Sequence, residues 1–190
     1  MKSEIDAETV LHVVQAEDAE RVLVSAPSAR IINAMMYHTD LFHDLRQADY
    51  NVMTITSKHG AIINGKKVTR SIFFDTLNTF SNTGQKFVLF HYSILSEGIN
   101  VHGLTNVVLL RNLSTVEMAQ TIGRVIRLDS TDRTNIQNGT LRPRAYHNYN
   151  KPTGFISIPV YNNYGKATAK RVQRTVDTIF KHGKPATAWI

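Results

Sequence analysis

The order of structural elements is clearest in residues 87–127, which read FVLFHYSILSEGINVHGLTNVVLLRNLSTVEMAQTIGRVIR. Two short apolar runs, 87–90 and 107–110, flank a polar segment that contains glycine, and both runs have the length of buried β-strands. Ser114 and Glu117 then have the spacing of a capping box, which predicts the start of a helix. Strands that alternate with helices are typical of an α/β fold with a mostly parallel sheet.

Two further strand–helix units precede this stretch. The first begins with the apolar run 22–26, and Ser28 can cap the helix that follows. The second begins with the run 52–56 and ends with a helix that stops at Gly84. The helices are predicted from apolar residues at helical spacing, which are Ile32, Met35, Met36, Phe42 and Leu45 in the first and Val68, Ile72, Phe73, Leu77 and Phe80 in the second.

The C-terminal part of the chain begins with a polar segment. Residues 128–153 are rich in Asn, Thr and Arg and have neither helical nor strand periodicity, so we predict one long exposed loop. Residues 155–160 predict a strand that Pro159 places at a sheet edge or ends. A last helix is expected to bury Val172, Val176, Ile179 and Phe180 and to end at Gly183.

Length and composition favour a single α/β domain over residues 1–190. The apolar fraction is 42% and the charged fraction 19%, which excludes wholesale disorder. No run of about 18 apolar residues is present, and the N-terminus lacks the layout of a signal peptide, so we expect a cytoplasmic protein without membrane contact. Because the chain has no cysteine, disulfide scaffolds, thiol nucleophiles and thiolate zinc sites are excluded.

The net charge of +7 is distributed unevenly. Residues 1–95 carry nine Lys/Arg and ten Asp/Glu, whereas residues 96–190 carry thirteen and five, for a net charge of +8 in the second half. This asymmetry favours a surface for nucleic acid or a nucleotide on the second half, and a solvated basic face is the alternative interpretation.

The segment Gln120-Thr-Ile-Gly-Arg-Val-Ile-Arg127 combines basic residues with helical spacing. Gln120, Arg124 and Arg127 are separated by four and three residues, which predicts that they share one face of the helix that Ser114 caps. Two guanidinium groups on one face suit a polyphosphate, because each is always charged and offers several donors. Gly123 costs helix stability and indicates close approach of another backbone, and a solvated basic stripe is again the alternative.

The polar loop between the strands at 87–90 and 107–110 is a second candidate site. In an open α/β sheet, ligands bind beyond the carboxyl ends of the strands, where this loop would lie. Gly98 allows close approach of the backbone, and Glu97 and Asn100 supply polar contacts. Taken alone, the loop is a weak signal that favours a structural turn over a ligand site.

Together, the two segments resemble motifs V and VI of superfamily 2 helicases and translocases. The residues that carry the resemblance are Ser96-Glu-Gly-Ile-Asn100 and, some twenty residues later, Gln120-x-x-Gly-Arg-x-x-Arg127. Val22–Pro27 is similar to the motif IV strand that opens the C-terminal RecA-like lobe of this family. The similarity extends over roughly residues 10–181 apart from 128–153, and it implies a RecA-like, mostly parallel sheet flanked by helices.

The resemblance also implies a mechanism. In this family ATP and Mg²⁺ lie between two RecA-like lobes, and motif VI arginines of the second lobe reach the phosphates held by the first. Arg124 and Arg127 match the arginine-finger positions and Gln120 matches the residue that opens the motif. Glu97, Gly98 and Asn100 match motif V positions, which link the nucleotide to the strand. Asn100 stands where many members have Asp, a change that keeps hydrogen bonding and removes charge.

Nucleic acid is the expected polymer partner, with DNA favoured over RNA. The residues expected to contact the nucleic-acid strand are Ser25, Ser57, Lys58, Ser93, Arg142 and Arg144. The two arginines lie among aromatic residues at 146, 149, 155, 161 and 164, and aromatic rings can stack on unpaired bases while cations hold phosphates. A loop that packs its own rings is the alternative.

The interpretation that this chain binds ATP by itself is weaker than its interpretation as a second lobe. Gly60-Ala-Ile-Ile-Asn-Gly-Lys66 fits part of a phosphate loop, but Lys67 replaces the Ser/Thr that would bind Mg²⁺. Asn64-Gly65 between apolar residues predicts a type I′ hairpin instead. The eight histidines are scattered without a carboxylate at metal-ligand spacing, so no metal site is expected.

Two functions therefore follow from the sequence. The chain is expected to be the second lobe of a superfamily 2 helicase or translocase that hydrolyses ATP only with a first lobe, in the same or another chain, which would hold most of the ATP and Mg²⁺. The alternative is a stand-alone nucleic-acid-binding or adaptor module that keeps the lobe fold without motor activity.

Overall fold

A computed structural model of the chain describes residues 2–16, 19–92, 101, 103–159 and 163–179. The helices are α1 Lys2–Ala16, α2 Ala29–Tyr37, α3 Leu41–Gln47, α4 Arg70–Thr83, α5 Thr115–Val125, α6 Ser130–Gln137 and α7 Asn163–Ile179. The strands are β1 Arg21–Ser25, β2 Asn51–Thr56, β3 Gly60–Ile63, β4 Lys66–Val68, β5 Phe87–His91, β6 Asn106–Leu109 and β7 Phe155–Ser157.

The strands form one sheet in the order β4-β3-β2-β5-β1-β6-β7. The pairs β2–β5, β5–β1, β1–β6 and β6–β7 are parallel, and β3 and β4 are added as an antiparallel hairpin. The central strands β1 and β5 are buried along their whole length. The prediction of a mostly parallel sheet flanked by helices is confirmed.

Two apolar cores cover the two faces of the sheet. Successive side chains of a strand point to opposite faces, so Val22 and Val24 pack in one core and Leu23 in the other. Helices α1, α2 and α3 pack on the first face, and α4, α5 and α7 pack on the second. Strands buried on both faces must be apolar throughout, which explains the continuous apolar runs in the sequence.

The hairpin prediction at Asn64-Gly65 is confirmed. Both residues have positive φ, at 49° and 80°, as a type I′ turn requires. The Asn64 side chain accepts a hydrogen bond from the Val52 amide at 2.8 Å, which fixes the turn against β2. The segment 60–67 is therefore hairpin structure, and this geometry opposes its interpretation as a phosphate loop.

Helix boundaries differ from the predictions in two places. The helix expected after Ser28 is broken into α2 and α3. In the break, the Thr39 hydroxyl donates to the Met35 carbonyl at 2.6 Å and accepts from the Leu41 amide, local bonds that compete with a continuous helix. In the second unit, β4 extends to Val68, so α4 starts later than predicted and Ile72 is 52% exposed. Gly84 does end α4, in the left-handed conformation that a helix C-terminus favours.

The prediction of one loop over residues 128–153 is wrong. Residues 130–137 form α6, whose N-cap Asp129 accepts a hydrogen bond from the Thr131 amide at 2.9 Å. A 3-10 turn follows at Tyr146–Asn148. This helix has no apolar stripe, and the residue it buries is the carboxylate Asp132, which periodicity does not reveal.

Helix α1 was not predicted as an element. It buries Ala7, Val10 and Val14, at the spacing of one helix face. The signal is weak because charged residues surround these small apolar side chains, but the spacing could have revealed it. At the other end of the chain, β7 stops at Ser157, ahead of Pro159, and residues 160, 180 and 183 lie outside the described part of the chain.

Candidate functional site

The N-terminus of α5 is held by the capping box that the sequence predicted. The Ser114 amide donates to Glu117 Oε2 at 2.9 Å, and the Glu117 amide donates to Ser114 Oγ at 3.2 Å. The other carboxylate oxygen of Glu117 pairs with Arg111 Nη2 at 2.9 Å. The hydrogen bond from the Ser114 backbone and the bond from Arg111 lower the pKa of Glu117 to about 2. The start of the helix is thus fixed relative to the end of β6.

Gln120, Arg124 and Arg127 do not share one exposed face. Gln120 is exposed, whereas Arg124 is only 7% exposed. Helix α5 ends at Val125 with Ile126 as its C-cap, so the exposed Arg127 lies beyond the last helical residue. The prediction of a shared helical face is therefore wrong, because it extended the helical spacing past the point where the helix ends.

The two arginines are nevertheless brought within electrostatic range of each other. Burial and the neighbouring charge of Arg127 lower the pKa of Arg124. Arg124 and Arg111 also act on His91, the last residue of β5. Burial, followed by these two positive charges, lowers the pKa of His91 to about 3, so its ring is neutral at physiological pH. Arg111 and Arg124 thus lie close enough to the carboxyl end of β5 to act on His91, and Glu117, which pairs with Arg111, offsets part of their charge.

A buried lysine braces the C-terminus of α5. Lys151 Nζ donates to the carbonyl oxygens of Val125 at 2.5 Å and of Arg127 at 2.6 Å. The last carbonyls of a helix have no partner within it, so this ammonium group acts as a side-chain cap. Burial and, second, the charge of Arg21 lower the pKa of Lys151 to about 8. The main chain that carries Arg127 is therefore fixed to the segment that follows α6.

This brace is itself held in place by one acidic residue and a glycine. Asp132 accepts hydrogen bonds from the amides of Asn150 at 2.9 Å and Lys151 at 3.1 Å. At Gly154, a Cβ atom would lie 2.5 Å from the Val125 carbonyl oxygen, so the two backbones meet too closely for any other residue.

Gly123 does not have the role that the sequence suggested. Apart from its chain neighbours and the backbone of its own helix, no described atom lies within 4 Å of the position that its Cβ would take. The close backbone approach near α5 occurs at Gly154 instead. A glycine in a polar segment thirty residues away gives no sequence signal that it packs against this helix.

The residues expected to contact nucleic acid fall into three groups. Ser57 and Lys58 are exposed and follow β2, and Arg142 and Arg144 are exposed in the segment after α6. Ser25 is 0% exposed at the end of β1, where it pairs with β5 and β6, so the prediction that it contacts a nucleic-acid strand is wrong. Ser93 lies outside the described residues, as do the motif V residues Glu97, Gly98 and Asn100.

Sequence reasoning missed His91, Asp132 and Lys151. His91 extends an apolar strand by one residue, and the other two lie in a segment without periodicity. A charged residue in such a segment is ordinarily solvated, so the burial of Asp132 and Lys151 follows only from tertiary contacts.

No group of three or more His, Asp or Glu residues suitable for a metal ion occurs in the part of the chain that the structure describes. Among the same residues, no helix has the length and apolar character needed to cross a membrane.

Comparison with known proteins identifies the family. The model of the helicase conserved C-terminal domain matches residues 6–129. No curated protein sequence matches the chain.

Solved structures share the fold. The C-terminal domain of the DEAD-box protein Dbp5 matches with a TM-score of 0.54 at 13% identity, over 91% of this chain and 77% of that one. T4 UvsW matches with a TM-score of 0.51 at 16% identity, over 93% of this chain and 33% of UvsW. The ATP-dependent Type ISP restriction-modification enzyme LlaBIII, bound to DNA, matches with a TM-score of 0.50 at 15% identity, over 85% of this chain and 10% of LlaBIII.

The chain thus spans a third of UvsW and a tenth of LlaBIII. From the family match over residues 6–129, the chain belongs to the helicase conserved C-terminal domain family, and the solved structures share its RecA-like fold.

Proposed function

We propose that this domain completes the ATPase site of a helicase or translocase by supplying Arg124 and Arg127 to ATP and Mg²⁺ bound by a first lobe. A loose phosphoryl-transfer transition state places negative charge on the γ-phosphate oxygens, and a guanidinium group from a second body stabilises that charge. Because the arginines arrive only when the lobes close, hydrolysis becomes coupled to closure. By itself this domain is not expected to hydrolyse ATP.

The arrangement at the end of α5 is the observation that carries this proposal. Arg127 is exposed just past the helix, and Lys151 fixes its carbonyl oxygen at 2.6 Å. Arg124 is buried beside it and adds to the local positive potential. An exposed cation on a rigid main chain suits transition-state stabilisation, since little reorganisation is needed when the phosphate arrives. We therefore assign direct phosphate contact to Arg127 and a supporting charge to Arg124.

The nucleic-acid track is proposed to run over the exposed residues Ser57 and Lys58 after β2. Gln120 and the motif V residues Glu97, Gly98 and Asn100 would connect it to the nucleotide. The excess positive charge of the second half of the chain supports a polyanionic partner. LlaBIII, which shares the fold, is bound to DNA, and we propose DNA rather than RNA as the polymer.

The test uses the domain joined to its first lobe. Arg127→Ala should lower strand-stimulated ATP turnover by about 10³-fold or more, because removing an arginine finger has effects of that size. Nucleic-acid affinity should stay within about three-fold of wild type, because a contact to the γ-phosphate contributes nothing to strand binding. Arg30→Ala, at an exposed arginine of α2, is the matched control and should retain full turnover.

Unchanged turnover in Arg127→Ala would remove the finger assignment. If no first lobe, added or fused, gives turnover that depends on Arg124 and Arg127 while the domain still binds strands, the stand-alone binding or adaptor module is the better description.

A further inference from the structure

The stretch from the middle of α6 into α7 has an unusual charge distribution. Residues 133–176 contain eight Lys/Arg and no Asp/Glu. Of these cations, Arg133, Arg142 and Arg144 are exposed, whereas Lys151 is buried as the brace of α5. A surface with these cations attracts phosphate groups, because the stretch has no carboxylate to offset their charge.

Arg144 is held in a backbone conformation that is uncommon for a residue with a side chain. Its φ is 69°, in the left-handed region. The Arg144 amide donates to the hydroxyl of Tyr149 at 2.8 Å, and Tyr149 is 9% exposed. A buried tyrosine thus fixes the backbone of an exposed arginine in a conformation that costs energy, and such strain is concentrated at functional sites.

Tyr146 follows this arginine by two residues and remains exposed. Its ring contacts the ring of Tyr149 edge to face, with 5.5 Å between centroids. Despite this contact Tyr146 is 51% exposed, on the 3-10 turn Tyr146–Asn148. An aromatic ring that is already held by its neighbour loses little conformational entropy when a ligand stacks on it.

We propose that Tyr146 and Arg144 form a contact site for single-stranded nucleic acid, outside the family motifs, in which an unpaired base stacks on the Tyr146 ring and Arg144 binds an adjacent phosphate. The pairing of an exposed aromatic ring with a cation is the general chemistry of strand binding without sequence preference. The site rests on the nucleic-acid binding of the proposed function and adds to it a base contact that the track after β2 lacks.

Single strands are favoured over duplexes for a physical reason. One isolated ring on a short turn can take a base whose face is free, whereas the bases of a duplex are already stacked on each other. The site is also fixed relative to the ATPase arginines, because Lys151, two residues after Tyr149, is bonded to the carbonyl oxygen of Arg127. A strand bound there would be held at a set position relative to the end of α5.

The test measures binding of fluorescent oligothymidine and oligouridine, and of a DNA duplex, by anisotropy with the full chain at low salt. Tyr146→Ala should weaken single-strand binding by about 5- to 100-fold, the size of one base–aromatic stack, and Tyr146→Phe should stay within about two-fold because stacking needs no hydroxyl. Arg144→Ala should reduce the slope of log affinity against log salt by about 0.7, as expected for one phosphate contact on a single strand.

Tyr37 supplies the matched control, since it is an exposed tyrosine, 59% accessible, on α2. Tyr37→Ala should bind like wild type, and thermal unfolding of each variant verifies that the fold is intact. Equal losses in Tyr146→Ala and Tyr146→Phe, or no loss in either, would overturn the stacking contact. Equal affinity of the native chain for duplex and single strand would overturn its preference for unpaired bases.

The outcomes also separate this site from the proposed function. If Lys58→Ala weakens binding and Tyr146→Ala does not, only the Tyr146 site is wrong. If the native chain binds none of the three probes at low salt, the nucleic-acid part of the proposed function fails, and this site fails with it.

Discussion

Acidification should destabilise this domain through one residue, His91. The ring of His91 is 5% exposed at the end of β5, and both ring nitrogens lack a hydrogen-bond partner among the described residues. Burial and the charges of Arg111 and Arg124 lower its pKa to about 3. In the unfolded chain the pKa returns to about 6.5. Between these two values the unfolded state binds a proton that the folded state does not, so the free energy of unfolding falls as the pH decreases below about 6.5.

The size of the effect follows from these two pKa values. Each pH unit below about 6.5 costs about 1.4 kcal/mol, so at about pH 5 the loss is about 2 kcal/mol relative to neutral pH. That is a large share of the stability of an ordinary domain, which is about 5–15 kcal/mol. Above about pH 7 the residue makes no pH-dependent contribution, because it is neutral in both states.

Urea unfolding of the wild type and of His91→Gln at about pH 7.5 and about pH 5 measures this contribution. Glutamine keeps a polar side chain of similar length and does not titrate, so the decrease in unfolding free energy should be about 2 kcal/mol smaller in the variant. His38→Gln, at an exposed histidine after α2, should retain the wild-type pH dependence. If His91→Gln loses as much stability on acidification as the wild type, the ring is not buried in the neutral form and the reasoning is refuted.

Three further changes test the structure around α5 and the hairpin. Gly154→Ala should lower the free energy of unfolding by about 1–3 kcal/mol, because its Cβ would meet the Val125 carbonyl oxygen. Gly123→Ala should instead raise it by up to about 1 kcal/mol. Equal changes in the two variants, measured by urea unfolding, would contradict the assignment of the close backbone contact to Gly154. Lys151→Met removes the donors to two carbonyls at the end of α5. Hydrogen exchange at the amides of residues 125–128 should therefore accelerate more than exchange in the rest of the domain, which reports global stability. Equal acceleration throughout the domain would disprove the brace. Asn64→Ala should cost about 1–2 kcal/mol in thermal unfolding, since it loses the bond to the Val52 amide and strains the positive φ of the turn, and an unchanged midpoint would count against the type I′ turn.

Local patterns in the sequence predicted most of the fold because they depend on neighbouring residues. The capping box at Ser114, the left-handed cap at Gly84 and the turn at Asn64-Gly65 are each decided by hydrogen bonds or backbone conformations within a few residues. The apolar runs predicted the strands, since a strand buried on both faces is apolar at every position and is visible as a continuous run. The sequence failed at the break between α2 and α3, where the apolar spacing continues but the helix does not.

For the candidate site, the sequence predicted the residue types but not their exposure or their position relative to the helix end. The spacing of Gln120, Arg124 and Arg127 indicated a basic element for phosphate, but spacing does not show where a helix ends, and Arg127 lies past that end. Similarly, Ser25 lies at the end of a strand, where a ligand contact is plausible, and only the surrounding layers show that it is completely buried.

The sequence by itself therefore determined the order of strands and helices, the mostly parallel α/β architecture and the residue types that can bind phosphate, because these follow from periodicity, capping and charge. The tertiary structure decided which of those residues are exposed and what holds them. Lys151 binds the carbonyl oxygens of residues 125 and 127, and Asp132 in turn binds the Lys151 amide, through contacts between residues that are about twenty positions apart. Burial and contact at such separation depend on how the layers pack, and no local pattern encodes them.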